Sequence, residues 1–156
     1  WKMNPPLRGR EDRNAIIAGI LDGTIDIIAT DHAPHTMEEK VRGIEKSSFG
    51  IVGSETAFAQ LYTKFVKTDI FSLEMLVKLM SENVAKIFNL PYGKLEENSF
   101  ADIVVIDLEK EMTINPKEFL SKGRNTPYAN EKISGISVLT ISNGKIAYID
   151  EEEINL

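Results

Sequence analysis

The densest group of chemically capable residues in the sequence is Asp31-His32-Ala33-Pro34-His35. A carboxylate such as that of Asp31 can bind a divalent metal ion, accept a proton from a metal-bound water, or do both. A neighbouring imidazole can hydrogen-bond an anionic group of a substrate. The alternative is a plain turn, in which Asp31 caps the chain and both histidines are ordinary polar loop residues, and the spacing alone does not decide between the two. Because the histidines lie on a proline-containing loop, they do not form the two-histidine metal clamp of a helix.

Two further segments could bind a ligand. The amide of Asn4 precedes two rigid prolines, and it could match the donor and acceptor of a cyclic amide or imide. Phe49 and Gly50 could offer backbone groups to a ligand, since glycine permits a close approach. When each segment is read alone, the plain alternative is favoured: a turn that starts at Asn4 and a simple connector at Phe49-Gly50.

The segment before Asp31 is predicted to be a buried strand. Residues 25–30 (Ile-Asp-Ile-Ile-Ala-Thr) are almost continuously apolar and rich in β-branched side chains, as in a parallel strand covered on both faces. In parallel barrels, catalytic groups lie at the carboxyl ends of such strands. A buried strand needs a partner on each edge, and no partner strand is evident in residues 1–93. Together with Trp1, a residue at which translation does not begin, this predicts a piece of a longer protein.

Periodicity and capping signals predict the other elements. Helices are expected over residues 11–21, over 55–67 with Ser54 as the N-cap, from Ser72 to residue 80, and from Ser81 to residue 89. Residues 36–46 carry many charges and are predicted to be a solvated loop. Strands are expected over residues 101–108, 137–142 and 145–149, with an Asn-Gly turn between the last two and a turn of helix at 116–120.

The composition excludes several classes of protein. Hydrophobic residues make up 42% and charged residues 27% of the 156 residues, which is typical of a globular protein. The absence of cysteine excludes a disulfide scaffold, a thiol nucleophile and a cysteine-bound metal centre. The net charge of −6 argues against a nucleic-acid or anionic-membrane partner. No apolar run approaches the ~20 residues of a membrane helix, and no signal peptide is visible, so a cytoplasmic location is expected.

Six segments, in the same order along the chain, resemble the last part of bacterial dihydroorotases, which belong to the metal-dependent amidohydrolase superfamily. They are residues 3–8 (Met-Asn-Pro-Pro-Leu-Arg), 30–35 (Thr-Asp-His-Ala-Pro-His), 49–56 (Phe-Gly-Ile-Val-Gly-Ser-Glu-Thr), 101–107, 122–128 and 143–146. The first three together are specific, whereas any one alone is weak. The sequence Thr-Asp-His-Ala-Pro-His favours dihydroorotases over hydantoinases and allantoinases, which vary after the Asp-His pair.

The resemblance implies a role for each matching residue. Asp31 would bind zinc and act as general base and acid, while Asn4 and His35 would contact the ring and carboxylate of the substrate. Phe49 and Gly50 would add backbone contacts, and His32 is assigned only structural support. The implied reaction is the reversible closure of N-carbamoyl-L-aspartate to L-dihydroorotate, a step of pyrimidine synthesis.

The implied fold class is α/β, with the C-terminal part of a (β/α)8 TIM-type metal-dependent hydrolase barrel in residues 1–93 and part of a small β-sandwich domain in residues 94–156. The family's other metal ligands and a substrate-binding arginine would lie upstream, and a full barrel needs roughly 250 residues. The chain alone is therefore expected to be inactive, with an incomplete zinc site. Its expected partners are the substrate, the missing N-terminal part and further copies in a homo-oligomer.

Two alternatives remain open at this point. The first is a non-catalytic module, similar to dihydroorotase, that assembles with a partner enzyme of the same pathway. The second is a relative that opens the ring of hydantoin or allantoin.

Overall fold

The computed structural model describes residues 1–150, which form two compact units that interleave along the chain. The first unit is made of Trp1–Ile25, Ala29–Phe58 and Thr113–Lys132. The second is made of Asp26–Ile28, Ala59–Met112 and the stretch that begins at Ile133. Helices and a sheet are both present, in agreement with the predicted α/β class. The predicted boundary at residue 93, between a barrel segment and part of a small β-sandwich domain, stays a prediction.

The first unit contains the predicted N-terminal helix, α1 (Arg10–Leu21). The Asp12 carboxylate accepts a hydrogen bond from the N–H of Gly9 at 3.2 Å, which satisfies a free donor at the start of the helix. The helix ends at Asp22, and Gly23 follows with φ +82°, a conformation that glycine adopts without strain. This helix confirms the sequence prediction, because both of its ends are determined by local residues.

The charged segment 36–46 is not the loop predicted from its composition. It forms two short helices, α2 (Met37–Lys40) and α3 (Gly43–Lys46). Thr36 and Glu39 form a reciprocal cap: the Thr36 hydroxyl accepts from the Glu39 N–H at 3.2 Å, and the Glu39 carboxylate accepts from the Thr36 N–H at 2.9 Å. The prediction was wrong because the high charge hid this Thr-x-x-Glu signal.

Short helices make up much of the second unit. Helix α4 (Ala57–Leu61) leads into a π-helical segment (Tyr62–Val66). Helix α5 (Leu73–Val77) then continues through a second π-helical segment (Lys78–Glu82) into α6 (Asn83–Ile87). Ser72 caps α5, as predicted, by accepting from the Met75 N–H at 3.0 Å. Ser81 does not cap a separate helix, because the apolar spacing of Leu76 and Leu79, both buried, keeps the helical chain continuous.

In the described part of the C-terminal half, up to residue 150, the chain forms a three-stranded sheet with the order β1-β2-β3. Its strands are β1 (Ile103–Thr113), β2 (Lys132–Ser142) and β3 (Lys145–Ile149). The predicted hairpin is confirmed: Asn143 and Gly144, with φ of 50° and 72°, turn β2 into antiparallel β3. The predicted turn of helix is a 3₁₀ turn (Pro116–Glu118).

Residues 25–30 form no regular strand, which corrects the sequence prediction. Their backbone makes separate hydrogen bonds, such as that from the N–H of Ile28 to the carbonyl of Leu79 at 2.9 Å. A strand is stabilised by ladders on its edges, and none of the three strands within residues 1–150 pairs with this segment. The apolar sequence alone therefore does not produce a strand here.

Among residues 1–150, no helix is both long and apolar enough to span a lipid bilayer.

Candidate functional site

Asp31 lies at the end of the irregular segment 25–30, in the left-handed backbone conformation with φ 46°. Aspartate is one of the few residues with a side chain that adopt this conformation readily. The residue is exposed, and its carboxylate has no hydrogen bond or ion pair within residues 1–150. An ionised carboxylate in this state is available to accept a proton or to bind a cation.

The His32 ring is held by the backbone on one side and by a serine on the other. Its Nδ1 accepts from the N–H groups of Gly53 at 3.1 Å and Ser54 at 3.2 Å, so this nitrogen carries no hydrogen. The hydrogen is then on Nε2, which faces the Ser121 Oγ at 3.4 Å. These contacts favour the structural role expected for His32. Ser54 does not cap the predicted helix, because α4 begins only at Ala57.

The His35 ring links two segments of the first unit. Its Nε2 donates to the carbonyl of Phe49 at 2.8 Å, and its Nδ1 lies 3.6 Å from the Glu39 carboxylate. The side chain remains 26% exposed, so solvent reaches part of it. Because Nε2 carries the hydrogen that Phe49 accepts, Nδ1 can donate to a carboxylate only when both ring nitrogens are protonated.

Glu39 is kept ionised by its own helix cap. Hydrogen bonds from the backbone N–H and then the hydroxyl of Thr36 lower the pKa of the Glu39 carboxyl below its ordinary value of 4.5, and the charge of nearby His35 adds to this effect. At neutral pH the carboxylate therefore faces His35 as an anion.

Two lysines hold the loop formed by residues 45–50. The Lys2 ammonium donates to two loop carbonyls at 3.0 and 2.8 Å and lies 4.3 Å from the centre of the Phe49 ring. The Lys40 ammonium donates to the carbonyl of Gly50 at 2.9 Å and to that of a second loop residue at 2.8 Å. Gly50 itself has φ +96°, and a Cβ atom at this position would lie 2.5 Å from the Cβ of Ala33. The conformation of this segment thus depends on glycine and on the contacts of two half-buried lysines.

The backbone groups of Phe49 and Gly50 are mostly used inside the protein. The Phe49 carbonyl accepts from His35, the Gly50 N–H donates to the carbonyl of Lys2 at 2.8 Å, and the Gly50 carbonyl accepts from Asn125 at 3.2 Å. Within residues 1–150, the N–H of Phe49 is the remaining group of this pair without an internal partner. A ligand would meet this N–H first.

Asn4 lies on the surface, and the Asn4-Pro5 peptide bond is cis. No hydrogen bond joins its side chain to another residue of the described chain, 1–150. The structure thus brings His35, Phe49 and Gly50 together by hydrogen bonds, whereas Asn4 and Asp31 present free polar groups and bond none of these three.

Asn125 is a residue of this region to which the sequence analysis gave no role. Its side chain is buried, with 5% exposure, and bonds both the 33–35 segment and Gly50. The segment 122–128 belongs to the family resemblance, but nothing in its composition shows which of its polar residues is buried. The hydrogen bonds to residues far away in the sequence are what distinguish Asn125 from the other polar residues of this segment.

A pocket of about 130 Å³ opens beside the His35 ring. Its lining also includes Thr36, Lys40, Lys122, Arg124 and Asn125. Trp1 and Met37 complete the lining, whose exposed surface is mostly apolar. The Lys40 ammonium donates to backbone carbonyls of residues 48 and 50, so its charge is already used within the protein. Asn4, Asp31, Phe49 and Gly50 do not line it.

The described residues do not form a metal site by themselves. Within residues 1–150, no group of three or more His, Cys, Asp or Glu side chains could hold a metal ion. Both ring nitrogens of His32 face protein atoms, and those of His35 face Phe49 and Glu39. Zinc takes three or four protein ligands. A zinc site that includes Asp31 therefore needs ligands from outside this part of the chain.

Comparison with curated proteins finds dihydroorotases. That of Fusobacterium nucleatum is 92% identical over 156 residues, which are 100% of this chain and 37% of the relative. That of Bacillus pumilus is 59% identical over 148 residues, which are 95% of this chain and 35% of the relative. The chain thus spans little more than a third of the length of these relatives. The predicted resemblance to dihydroorotases is confirmed.

Solved structures with the same fold are hydantoinases. A D-hydantoinase from Thermus sp. superposes with a TM-score of 0.89 at 28% identity, and the match covers 96% of this chain and 34% of that one. An L-hydantoinase from Arthrobacter aurescens gives a TM-score of 0.87 at 29% identity, with 95% and 34% covered. Residues 4–147 match the amidohydrolase family model. Because this match spans nearly the whole sequence, the chain belongs to the amidohydrolase family.

Proposed function

We propose that this chain is the C-terminal part of a dihydroorotase, which interconverts N-carbamoyl-L-aspartate and L-dihydroorotate in pyrimidine synthesis. The observation that carries the proposal is the 92% identity to a dihydroorotase over all 156 residues. The sequence Thr-Asp-His-Ala-Pro-His at residues 30–35 supports the same substrate. The barrel portion and the β-sandwich portion of the sequence prediction belong to this proposal.

Asp31 is our candidate for the group that moves the proton. In ring opening, water adds to the amide carbonyl, the C–N bond breaks, and the proton lost by water must reach the leaving nitrogen. An exposed carboxylate without an internal partner can accept that proton and return it. Ring closure uses the same positions in the reverse order.

Asn4, His35, Phe49 and Gly50 are our candidates for substrate binding. The amide of Asn4 and the N–H of Phe49 are free to bond a ring that carries both donors and acceptors. His35 borders a pocket of about 130 Å³, and its ring is our candidate for the contact with the substrate carboxylate. His32 is proposed to fix the loop that follows Asp31 rather than to touch the substrate.

Features of the surface and interior support a larger parent protein. Large apolar side chains remain exposed, including Ile44 at 71%, Leu95 at 79% and Leu120 at 92%. The amide of Gln60 is buried, yet neither its oxygen nor its nitrogen has a partner within residues 1–150. We propose that the rest of a dihydroorotase covers these groups and supplies the missing zinc ligands. Homo-oligomerisation stays a prediction.

The 156-residue chain, assayed alone with added zinc salt, is expected to give no conversion of N-carbamoyl-L-aspartate above the blank. The reason is that Asp31 is a single ligand, and no metal-holding group is present in residues 1–150. Chromatographic detection of dihydroorotate measures the outcome, with the full-length protein as the positive control. Turnover by the chain alone would contradict the proposal, and an inactive full-length protein would favour the non-catalytic module.

Replacement of His35 by alanine in the full-length protein is expected to raise the KM for dihydroorotate about tenfold or more, because a hydrogen bond to a charged group is lost. Steady-state kinetics with dihydroorotate and with hydantoin measure the effect. Glu38→Gln, on helix α2 three residues further along the chain, is the matched control and should leave both constants unchanged. Unaltered kinetics in His35→Ala, together with turnover of hydantoin, would favour the hydantoinase alternative.

A further inference from the structure

We infer that Asn125 is a positioning residue for substrate binding, which holds His35 and Gly50 in a fixed relation to each other. The inference rests on the proposed function, since it concerns the residues proposed there to contact the substrate. Asn125 is not proposed to touch the substrate itself.

The Asn125 side chain makes three hydrogen bonds to the backbone of two chain segments. Its Oδ1 accepts from the N–H of His35 at 3.0 Å. Its Nδ2 donates to the carbonyl of Ala33 at 2.9 Å and to that of Gly50 at 3.2 Å. Its own carbonyl accepts from the N–H of Val52 at 3.1 Å. One residue thus ties the segment after Asp31 to the loop that carries Phe49 and Gly50.

The position requires an amide of this length. An aspartate would keep an acceptor for the His35 N–H but would face the carbonyls of Ala33 and Gly50 with an anion instead of a donor. A glutamine would be longer in a site where space is already limiting, since a Cβ atom on Gly123 would lie 2.8 Å from the Asn125 Oδ1. Asparagine alone combines donor, acceptor and reach.

The hydrogen bonds from the Asn125 side chain to the backbone fix the position of His35 relative to the loop that contains Phe49. His35 is held at its backbone by Asn125 and at its ring by the carbonyl of Phe49, the residue next to Gly50. If the bonds of Asn125 are lost, the backbone of the 33–35 segment and that of Gly50 can move apart. The ring of His35 and the N–H of Phe49 would then no longer meet one substrate at the same time.

The test uses Asn125→Asp in the full-length protein, with dihydroorotate as the substrate. We expect KM to rise about tenfold or more while kcat stays within about threefold, because the contacts concerned bind substrate and transition state alike. Asn125→Ala, which introduces no buried charge, provides a second variant if the aspartate prevents folding, and the same change in KM is expected.

Thr126→Val is the matched control. Thr126 is the next residue and has the same 5% exposure, and its hydroxyl accepts from the Tyr128 N–H at 3.2 Å. We expect Thr126→Val to lower the melting temperature and to leave KM unchanged, which is the result of a purely structural loss. A folded Asn125 variant with wild-type KM would overturn the inference while leaving the proposed function intact. A wild-type protein that does not convert dihydroorotate would instead overturn the proposed function.

Discussion

Replacement of Asp31 by asparagine in the full-length protein is expected to lower kcat for dihydroorotate about a thousandfold, the range for loss of a general acid–base group. Asparagine cannot accept and return the proton, yet it has nearly the same shape. It also tolerates the left-handed conformation, with φ 46°, that Asp31 adopts. The fold should therefore remain, and initial rates at saturating substrate together with circular dichroism measure both parts of the expectation.

Asp26→Asn is the control for this variant. Asp26 is an exposed aspartate on the same irregular segment, and its backbone carbonyl, not its carboxylate, accepts from Asn83 at 2.8 Å. Its substitution should leave kcat unchanged. If Asp31→Asn retained wild-type turnover, Asp31 could not be the proton carrier and the assignment of the site would be wrong.

Replacement of Gly123 by alanine is expected to destabilise the full-length protein by about 2–3 kcal/mol, as for an overpacked interior position. A Cβ atom here would lie 2.6 Å from the Cα and 2.7 Å from the Cβ of Pro34. The nearer of these is a backbone atom, so the clash cannot be relieved by turning a side chain. Urea-induced unfolding measures the change in the free energy of unfolding.

Gly9→Ala separates this clash from the general effect of adding a methyl group. At Gly9 the nearest atom to a new Cβ is the Asp12 Oδ2, at 3.8 Å, which is ordinary contact. We expect a cost below about 1 kcal/mol for this control. Equal stability changes in the two variants would show that Gly123 and Pro34 are not in close contact in the whole protein.

Local signals in the sequence predicted local structure well. Helix α1 and the hairpin between β2 and β3 were correct because Asp22-Gly23 and Asn143-Gly144 determine their turns without help from distant residues. The segment 25–30 was predicted wrongly for the opposite reason. Its apolar character is compatible with a strand, but a strand exists only where neighbouring strands bond its edges.

The candidate site shows the same division between local and distant information. Asp31 and His35 became candidates because their chemical types are concentrated in one short segment, and their roles stay predictions. Asn125 was not a candidate, because its hydrogen bonds reach residues as many as 92 positions away. The prediction of a loop for residues 36–46 was wrong although the signal was local. The Thr36–Glu39 cap is visible in the sequence, but the many charges around it favoured the interpretation as a solvated loop.

The first compact unit, built from three separate stretches, has a consequence for synthesis on the ribosome. His35 emerges 90 residues before Asn125. At about 5–20 residues per second, the nascent segment stays without this tether for roughly 5–20 seconds. Throughout that interval residues 33–35 lack the hydrogen bonds that Asn125 makes to them in the folded chain. Slow or paused translation between these two positions should therefore lower the yield of the folded protein.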